Sequence, residues 1–99
     1  MTSTPPTAST VRLSGRLICA SAHELDLVRR LLPEHVRLTR AEPGCLSFEV
    51  VQSQDPMIWQ VDERFTDMAA FKAHQARSRL SQWGRETAAI AREYRIHSD

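Results

Sequence analysis

The fold is decided by residues 45–65, which read CLSFEVVQSQDPMIWQVDERF. Apolar and polar residues alternate on both sides of the Gln-Asp-Pro turn at 54–56, as in half-buried strands. The alternation predicts one strand over 45–53 and another over 57–65. Because only a short turn joins them, the two strands are expected to pair as an antiparallel hairpin. The residues expected on its inward face are Leu46, Phe48, Val50, Met57, Trp59, Val61 and Phe65.

The preceding residues predict a strand followed by a helix. Residues 11–20 alternate in the same way as the hairpin and form the strand. Ser21 with Glu24 makes a capping box, which predicts the start of a helix that the Glu-Pro-Gly run at 42–44 ends. Pro33 lies inside this helix, and because proline has no backbone N–H to donate, a kink is predicted there.

The C-terminal third is predicted to hold two helices and a closing strand. Thr66 or Asp67 should cap the first helix, which ends near residue 75, and the second helix runs over 78–92. The buried stripe of that second helix is expected to consist of Leu80, Trp83, Thr87 and Ile90. Residues 93–97 form the closing strand. The order strand, helix, strand, strand, broken helix, strand is the split βαβ arrangement of an α+β, ferredoxin-like fold.

Length and composition place the chain among single-domain globular proteins. It has 99 residues, and its 13 basic and 12 acidic side chains are mixed, so no basic patch suggests a nucleic acid. No run is apolar enough for a signal peptide or a membrane span. The Ser/Thr/Pro-rich residues 1–10 are interpreted as a flexible arm on a cytoplasmic protein, and residues 11–99 as the domain. Cys19 and Cys45 lack the spacing of a metal site or of a disulfide framework.

Two polar residues fall on faces that should be buried. His35 lies near the middle of the apolar arc of the first helix, and Glu63 shares the parity of Trp59, Val61 and Phe65. His35 is either a core histidine bonded to a backbone carbonyl or a general base in an interior pocket. Glu63 is either half of an ion pair at the sheet rim or a partner for that histidine, because a buried carboxylate is costly alone.

Other candidates also have both a structural and a functional interpretation. His74, on the helix after the hairpin, is either a partly exposed histidine or a hydrogen-bond donor to a ligand. Thr87 either donates to a ligand or bonds back to its own helix. The inward aromatic residues are either plain core or the walls of a pocket for a flat aromatic ligand. They are Phe48, Trp59, Phe65, Phe71 and Trp83.

The polar face of the predicted sheet has two interpretations as well. It carries a mixture of cationic and anionic side chains, namely Arg12, Arg16, Glu49, Asp62 and Arg64. This face is either solvated or paired with the same face of a second subunit. The pattern alone favours neither.

Residues 40–46 read RAEPGCL. This run resembles the end of the first helix in the antibiotic-biosynthesis monooxygenase family, which has an R-x-E-P-G-C-L type sequence, and the likeness continues with Phe48. It extends to Val-Asp-Glu-Arg-Phe at 61–65 and Ala-Phe-Lys-Ala-His at 70–74, which are similar to the family's E-R-W/F and A-F-x-x-H signatures. The similarity covers roughly residues 11–97.

The resemblance implies that two subunits pack sheet against sheet into a dimeric α+β barrel, each with a pocket between its sheet and helices. By position, Glu63 and His74 match residues that the family places at or near this pocket, and Phe65 matches its aromatic wall. Haem-degrading members have an Asn in the first strand, a Trp where Phe65 stands and a His near Gly84. This sequence has none of the three, so the resemblance implies no haem, and no other cofactor is expected. Oxygenase members often carry Trp at position 65 as well, which leaves the reaction open.

The function expected from these arguments is that of a cofactor-independent monooxygenase that oxidises an electron-rich aromatic, such as a quinol or anthrone, with dioxygen. His35 would be the base, Glu63 would orient it or hold a substrate hydroxyl, and His74 would donate to a substrate oxygen. The substrate-binding residues would be Phe48, Trp59, Phe65, Phe71, Trp83 and Thr87. An isomerase or tautomerase using the same proton transfers is one alternative. A homodimer that only binds a small molecule is another.

Overall fold

The computed structural model describes residues 10–98, which form one four-stranded sheet with helices packed on one face. The elements in chain order are β1 (Val11–Ile18), α1 (Ala22–Arg40), β2 (Cys45–Gln52), β3 (Ile58–Phe65), α2 (Met68–Leu80), α3 (Gln82–Glu86) and β4 (Ala91–Ser98). Neighbouring strands, in the order β2-β3-β1-β4, are all antiparallel. This is the ferredoxin-like α+β fold that the element order predicts. The arm predicted for residues 1–10 lies, except for Thr10, outside the described residues.

Side-chain caps set where the two long helices begin. Ser21 Oγ accepts from the Glu24 amide at 3.2 Å, and Glu24 Oε1 accepts from the backbone amide just before the cap at 2.7 Å. The helix continues as one element of 19 residues through Pro33, which lies on its exposed side. Of the two residues predicted to cap α2, Asp67 does so, since its carboxylate accepts from the Ala70 amide at 2.8 Å.

The C-terminal helices differ from the prediction in their bounds. α2 continues to Leu80, and α3 comprises only Gln82–Glu86. Ser81 causes the break, because its Oγ accepts from the Gly84 amide at 3.1 Å and so caps α3. Ser78, predicted to begin this helix, therefore lies within α2. Leu80 ends α2 with its side chain 76% exposed, so its predicted place in the buried stripe is wrong.

Two details of the strands also differ from the prediction. The register of β2 against β3 shifts between Cys45 and Ser47, so Leu46 is an extra residue in a bulge. Its side chain is 54% exposed, and the prediction that it shares the inward face with Phe48 is wrong. The closing strand begins at Ala91 rather than at residue 93, because α3 ends earlier than predicted.

The two faces of the sheet differ as the alternation requires. The helix-covered face holds a buried apolar core that includes Val11, Leu13, Leu17, Val28, Leu32, Trp59, Val61, Phe65, Phe71, Trp83 and Ile90. The other face carries ion pairs between neighbouring strands, Arg12 with Asp62 at 2.7 Å and Arg16 with Glu93. No helix within residues 10–98 combines the length and the apolar character needed to cross a bilayer.

Candidate active site

An interior cavity of about 60 Å³ lies between the inward face of the sheet and the helices. Its apolar lining consists of Leu13, Leu17, Phe48, Val50, Val61 and Trp83. Its polar lining consists of His35, Glu63, His74, Gln75, Ser78, Arg92 and Tyr94. The three residues predicted from the sequence to be catalytic therefore converge on one space, although they come from α1, β3 and α2.

His35 is buried on α1 and stacked on an aromatic ring. Its imidazole lies parallel to the Trp83 indole, with centroids 4.8 Å apart and planes inclined by 11°, and Phe48 meets it edge-on at 5.4 Å. Burial, followed by the charges of His74 and nearby arginines, lowers the pKa of His35 to about 3, so the ring is neutral near pH 7. Its Nδ1 has no hydrogen-bond partner among the described residues. A core histidine satisfied at both nitrogens would not leave this atom unpaired.

Glu63 projects from the inward face of β3, as its parity predicts, and its side chain is buried. Burial, reinforced by the charge of Glu42, raises the pKa of Glu63 to about 8, so the carboxyl is protonated near pH 7. Its Oε1 has no hydrogen-bond partner among the described residues and lies 3.6 Å from His74 Nε2. That contact joins Glu63 to His74, whereas the sequence favoured His35 as its partner. The alternative of an ion pair at the sheet rim does not fit this interior position.

His74 is fully enclosed rather than partly exposed, and both of its nitrogens face carboxyl groups. Its Nδ1 lies 2.8 Å from Glu42 Oε1, and Arg77 Nε donates to the other oxygen of Glu42 at 2.8 Å. A carboxylate held in this way accepts a hydrogen bond, so we assign the imidazole proton to Nδ1 and leave Nε2 as an acceptor beside Glu63. Burial lowers the pKa of His74, and the hydrogen bond that Nδ1 donates to Glu42 opposes that change.

Hydrogen bonds also fasten α1 to α2 beside the cavity. Arg77 Nη2 donates to Thr39 Oγ1 at 2.9 Å, and that hydroxyl donates to the His35 carbonyl at 2.7 Å. The two imidazole centroids are 5.9 Å apart as a result. Because the residues on this path are buried or half-buried, the spacing of the two histidines is set by the packing of the helices.

Only part of the predicted aromatic wall reaches the cavity. Phe48 and Trp83 line it. Phe65 and Phe71 pack against each other at 5.6 Å, outside the lining, and Phe65 supports the His74 ring at 4.9 Å. Phe65 therefore supports a histidine, and Phe71 packs against Phe65, instead of the two forming the wall themselves.

Two further residues predicted to bind substrate lie away from the lining. Trp59 is buried in the apolar core. Thr87 donates to the Trp83 carbonyl at 2.6 Å, which is the local alternative of the two predicted for it. It also accepts from Arg92 Nη2 at 2.9 Å and so holds that guanidinium at the edge of the cavity.

Arg92, Tyr94 and Glu42 are site residues that the sequence reasoning missed. Arg92 and Tyr94 alternate inward on β4, but the strand was predicted to begin after Arg92. Burial raises the pKa of Tyr94 to about 12, so its hydroxyl remains a hydrogen-bond donor. Glu42 belongs to the Glu-Pro-Gly run, which was interpreted as the end of a helix and as part of the run that resembles the family, but not as part of the site. Within residues 10–98, no group of three or more His, Cys, Asp or Glu side chains is arranged to hold a metal ion.

A groove on the outside of the molecule adjoins the cavity. This α1–α3 groove has a volume of about 170 Å³ and is lined by Leu31, Leu38, Ser81, His35 and Trp83, among others. His35 and Trp83 line both spaces, so the stacked pair forms the partition between them.

Comparisons with known proteins agree with this architecture. The family model described as antibiotic biosynthesis monooxygenase matches residues 19–86. A Bacteroides thetaiotaomicron protein provisionally named for that family is 26% identical, with a TM-score of 0.73 over 93% of this chain and 88% of that one. A Deinococcus radiodurans protein with the same provisional name is 21% identical, with a TM-score of 0.70 over 88% and 89% of the two chains. Rv0793 from Mycobacterium tuberculosis is 24% identical, with a TM-score of 0.67 over 91% and 92%.

The weight of these comparisons differs. The structures from Deinococcus radiodurans and Mycobacterium tuberculosis are below 25% identity and establish the fold alone. A comparison with curated proteins gives no match. The family model spans more than half of the sequence and includes His35, Glu63 and His74. This chain therefore belongs to the antibiotic biosynthesis monooxygenase family.

Proposed function

We propose that the chain is a cofactor-independent monooxygenase that oxidises a small electron-rich aromatic compound, such as a quinol or an anthrone, with dioxygen. The observation that carries the proposal is the pair of buried polar atoms at one mostly enclosed cavity, His35 Nδ1 and Glu63 Oε1. Neither has a hydrogen-bond partner among the described residues. A substrate with hydroxyl or carbonyl oxygens would supply both partners, and membership of the family supports an oxidative reaction.

This reaction requires few chemical contributions from the protein. A quinol that has lost a proton is a strong enough reductant to give an electron to dioxygen directly. A ring carbon then bonds to one oxygen, the O–O bond breaks, and the second oxygen leaves as water, so that a quinol becomes a hydroxyquinone. The protein needs to bind the ring, remove the proton and exclude water.

The cavity residues suit three roles in this sequence of steps. His74 takes the substrate proton on Nε2, because the Glu42 carboxylate at Nδ1 stabilises the resulting imidazolium. Protonated Glu63 donates a hydrogen bond to a substrate or peroxide oxygen. His35 was expected from the sequence to be the base, but no carboxylate partner for it is described, so we assign it a hydrogen bond to the substrate.

Substrate binding must enlarge the cavity. An apolar cavity of about 150 Å³ holds a benzene ring, whereas the enclosed space here is about 60 Å³. The His35–Trp83 partition adjoins the α1–α3 groove, and Trp83 lies on the short helix α3. We propose that the substrate enters from that groove by displacing the Trp83 ring.

The outer face of the sheet supports the proposal of a homodimer. Its ion pairs join neighbouring strands, and Val51 is 55% exposed among them. Two copies of such a face match each other through a two-fold axis. Sedimentation equilibrium should give twice the chain mass, and Val51→Lys should shift the equilibrium toward the monomer. A monomeric wild-type protein at all concentrations would contradict this part of the proposal.

An assay with ¹⁸O₂ tests the proposed reaction. The purified protein is incubated with a panel of quinols and anthrones, and the products are analysed by mass spectrometry. The proposal expects one labelled oxygen per product molecule in excess of a no-protein control. No labelled product from any panel member would count against it.

An isomerase or tautomerase is the second candidate, and the juxtaposition of Glu63 with His74 favours it. A protonated carboxyl beside a neutral imidazole is what an enolisation requires. Such a reaction needs no oxygen, so turnover of a carbonyl substrate under anaerobic conditions would select this candidate. Ligand-induced shifts in melting temperature without any turnover would select a binding protein instead.

A further inference from the structure

His74 connects the interior cavity to a second space, which lies beside α2. This second space, the α2 groove, has a volume of about 430 Å³ and is bordered by Glu42, Gly44, Ala73, His74 and Arg77. His74 lines both the α2 groove and the interior cavity. It is therefore placed to exchange a proton with groups on either side.

Packing of the loop between α1 and β2 brings Glu42 to His74. At Gly44 a Cβ atom would lie 2.3 Å from the Ala70 Cβ, so the loop lies against α2 at a distance that only glycine permits. The Glu42 carboxylate is then held by His74 Nδ1 at 2.8 Å and by Arg77 Nε at 2.8 Å. The first of these contacts spans 32 residues of sequence.

The outer end of this path is more exposed than its inner end. The side chains of Glu63 and His74 are 8% and 3% exposed, whereas that of Glu42 is 19% exposed and reaches the α2 groove. Glu63 and Glu42 thus lie at the inner and outer ends, and the imidazole lies between them with one nitrogen toward each.

We infer that Glu42 and His74 form a proton route from the interior cavity to the α2 groove, in which Glu42 is a positioning residue acting through His74. The inference rests on the proposed function and adds the path by which the substrate proton leaves. The substrate O–H bond breaks as Nε2–H forms. The Nδ1–H bond then breaks as Glu42 Oε1 takes that proton, and the carboxylic acid releases it to water in the α2 groove, which leaves the imidazole proton on Nε2. When the O–O bond breaks, Nε2–H gives its proton to the leaving oxygen while Nδ1 takes one back from water through Glu42. The leaving oxygen, which receives its other proton from the substrate, departs as water, and the Nδ1–H tautomer is restored.

The titratable and charged neighbours of His74 come from three elements and one loop. Glu42 follows α1, Glu63 lies on β3, His35 on α1 and Arg77 on α2. Arg77 Nε donates to Glu42 Oε2, which leaves Oε1 pointing at the imidazole for proton transfer in either direction.

The experiment compares three variants under saturating substrate. Glu42→Gln keeps the size and an acceptor oxygen but takes up no proton, and it should lower kcat by at least about 10-fold. Glu42→Ala should lower kcat at least as much, and millimolar formate should restore part of the lost kcat, because a small acid fits the α2 groove. Asp26→Asn is the matched control, since its exposed carboxylate pairs with Arg30 on α1, away from the cavity and the outer face, and it should retain wild-type kcat. Unchanged kcat in Glu42→Gln, or the absence of any formate effect in Glu42→Ala, would overturn the route.

Nuclear magnetic resonance of ¹⁵N-labelled histidine gives a readout that needs no substrate. The route requires the Nδ1–H tautomer of His74 in the wild type and a changed tautomer population in Glu42→Gln. An Nε2–H tautomer in the wild type would overturn the route even if oxygenase activity is found. Conversely, the protein could oxidise no quinol and still have an Nδ1–H tautomer that responds to Glu42→Gln. That result would support the connection between Glu42 and His74 and reject the proposed reaction.

Discussion

The imidazole of His35 lies flat on the indole of Trp83, with ring centroids 4.8 Å apart. The pair separates the interior cavity from the α1–α3 groove, and both residues line both spaces. A ligand that enters from the groove must therefore disturb Trp83. The other tryptophan, Trp59, is buried in the core outside the lining and serves as the matched control.

This relationship predicts which tryptophan reports ligand binding. Titration with a quinone should change the tryptophan emission of the wild type and of Trp59→Phe, and the change should be lost in Trp83→Phe. The measurement is a fluorescence titration at constant protein concentration. If the signal persisted in Trp83→Phe and vanished in Trp59→Phe, the ligand would not bind at this partition.

The assignment of the base predicts different kinetic effects for the two buried histidines. His74→Gln should lower kcat by about 100-fold or more, because the proton acceptor is removed. His35→Gln should mainly raise KM, since it loses one hydrogen bond to the substrate. Steady-state kinetics of both variants, with the exposed His23→Gln as control, test this. A larger loss of kcat in His35→Gln than in His74→Gln would return the role of base to His35.

The buried carboxyl predicts that stability falls as pH rises. The pKa of Glu63 is about 8 in the folded chain, against its ordinary value of 4.5. Between these values the unfolded chain loses a proton that the folded chain keeps, so the free energy of unfolding decreases by at most about 1.4 kcal/mol per pH unit. In Glu63→Gln that dependence should disappear. Urea denaturation at pH 5 and pH 8 measures it, and a difference between the two proteins that does not grow with pH would contradict the assignment.

The buried imidazole of His35 predicts that stability falls as pH falls on the acid side. Its pKa of about 3 in the folded chain is below its ordinary value of 6.5, so the unfolded chain binds the extra proton as pH falls. The stability that the neutral ring contributes is present above about pH 6.5 and is lost as pH falls toward 3. Acid unfolding of His35→Gln should therefore depend less steeply on pH than that of the wild type. Equal dependence in both proteins would show that this imidazole titrates normally.

Much of the fold follows from local patterns in the sequence. The alternation of side chains along β3 places Glu63 on the inward face of the sheet. The helical period of α1 places His35 on the face of the helix that packs on the sheet. Both placements depend only on the strand and helix periods. The bounds of α3 do not follow in this way. The apolar spacing from Leu80 to Ile90 suits a long helix, but the cap at Ser81 interrupts it.

The partners of the site residues could not be predicted from those periods. Glu42 meets His74 only because the loop after α1 packs on α2, a contact that depends on Gly44 and on the tertiary arrangement. Likewise, Trp59 and Trp83 are both buried aromatic residues of the core, and only the tertiary arrangement brings Trp83 and not Trp59 to the cavity lining. Periodicity gives the face of a residue but not its neighbours across elements.

Oxygen uptake by the purified protein tests the central claim most directly. An oxygen electrode records consumption with each quinol and anthrone of the panel, for the wild type, for His74→Gln and without protein. The account predicts uptake that requires the wild-type protein, needs no added cofactor and falls by about 100-fold in His74→Gln. Uptake no greater than the protein-free control for every compound, or equal uptake in His74→Gln, would contradict it.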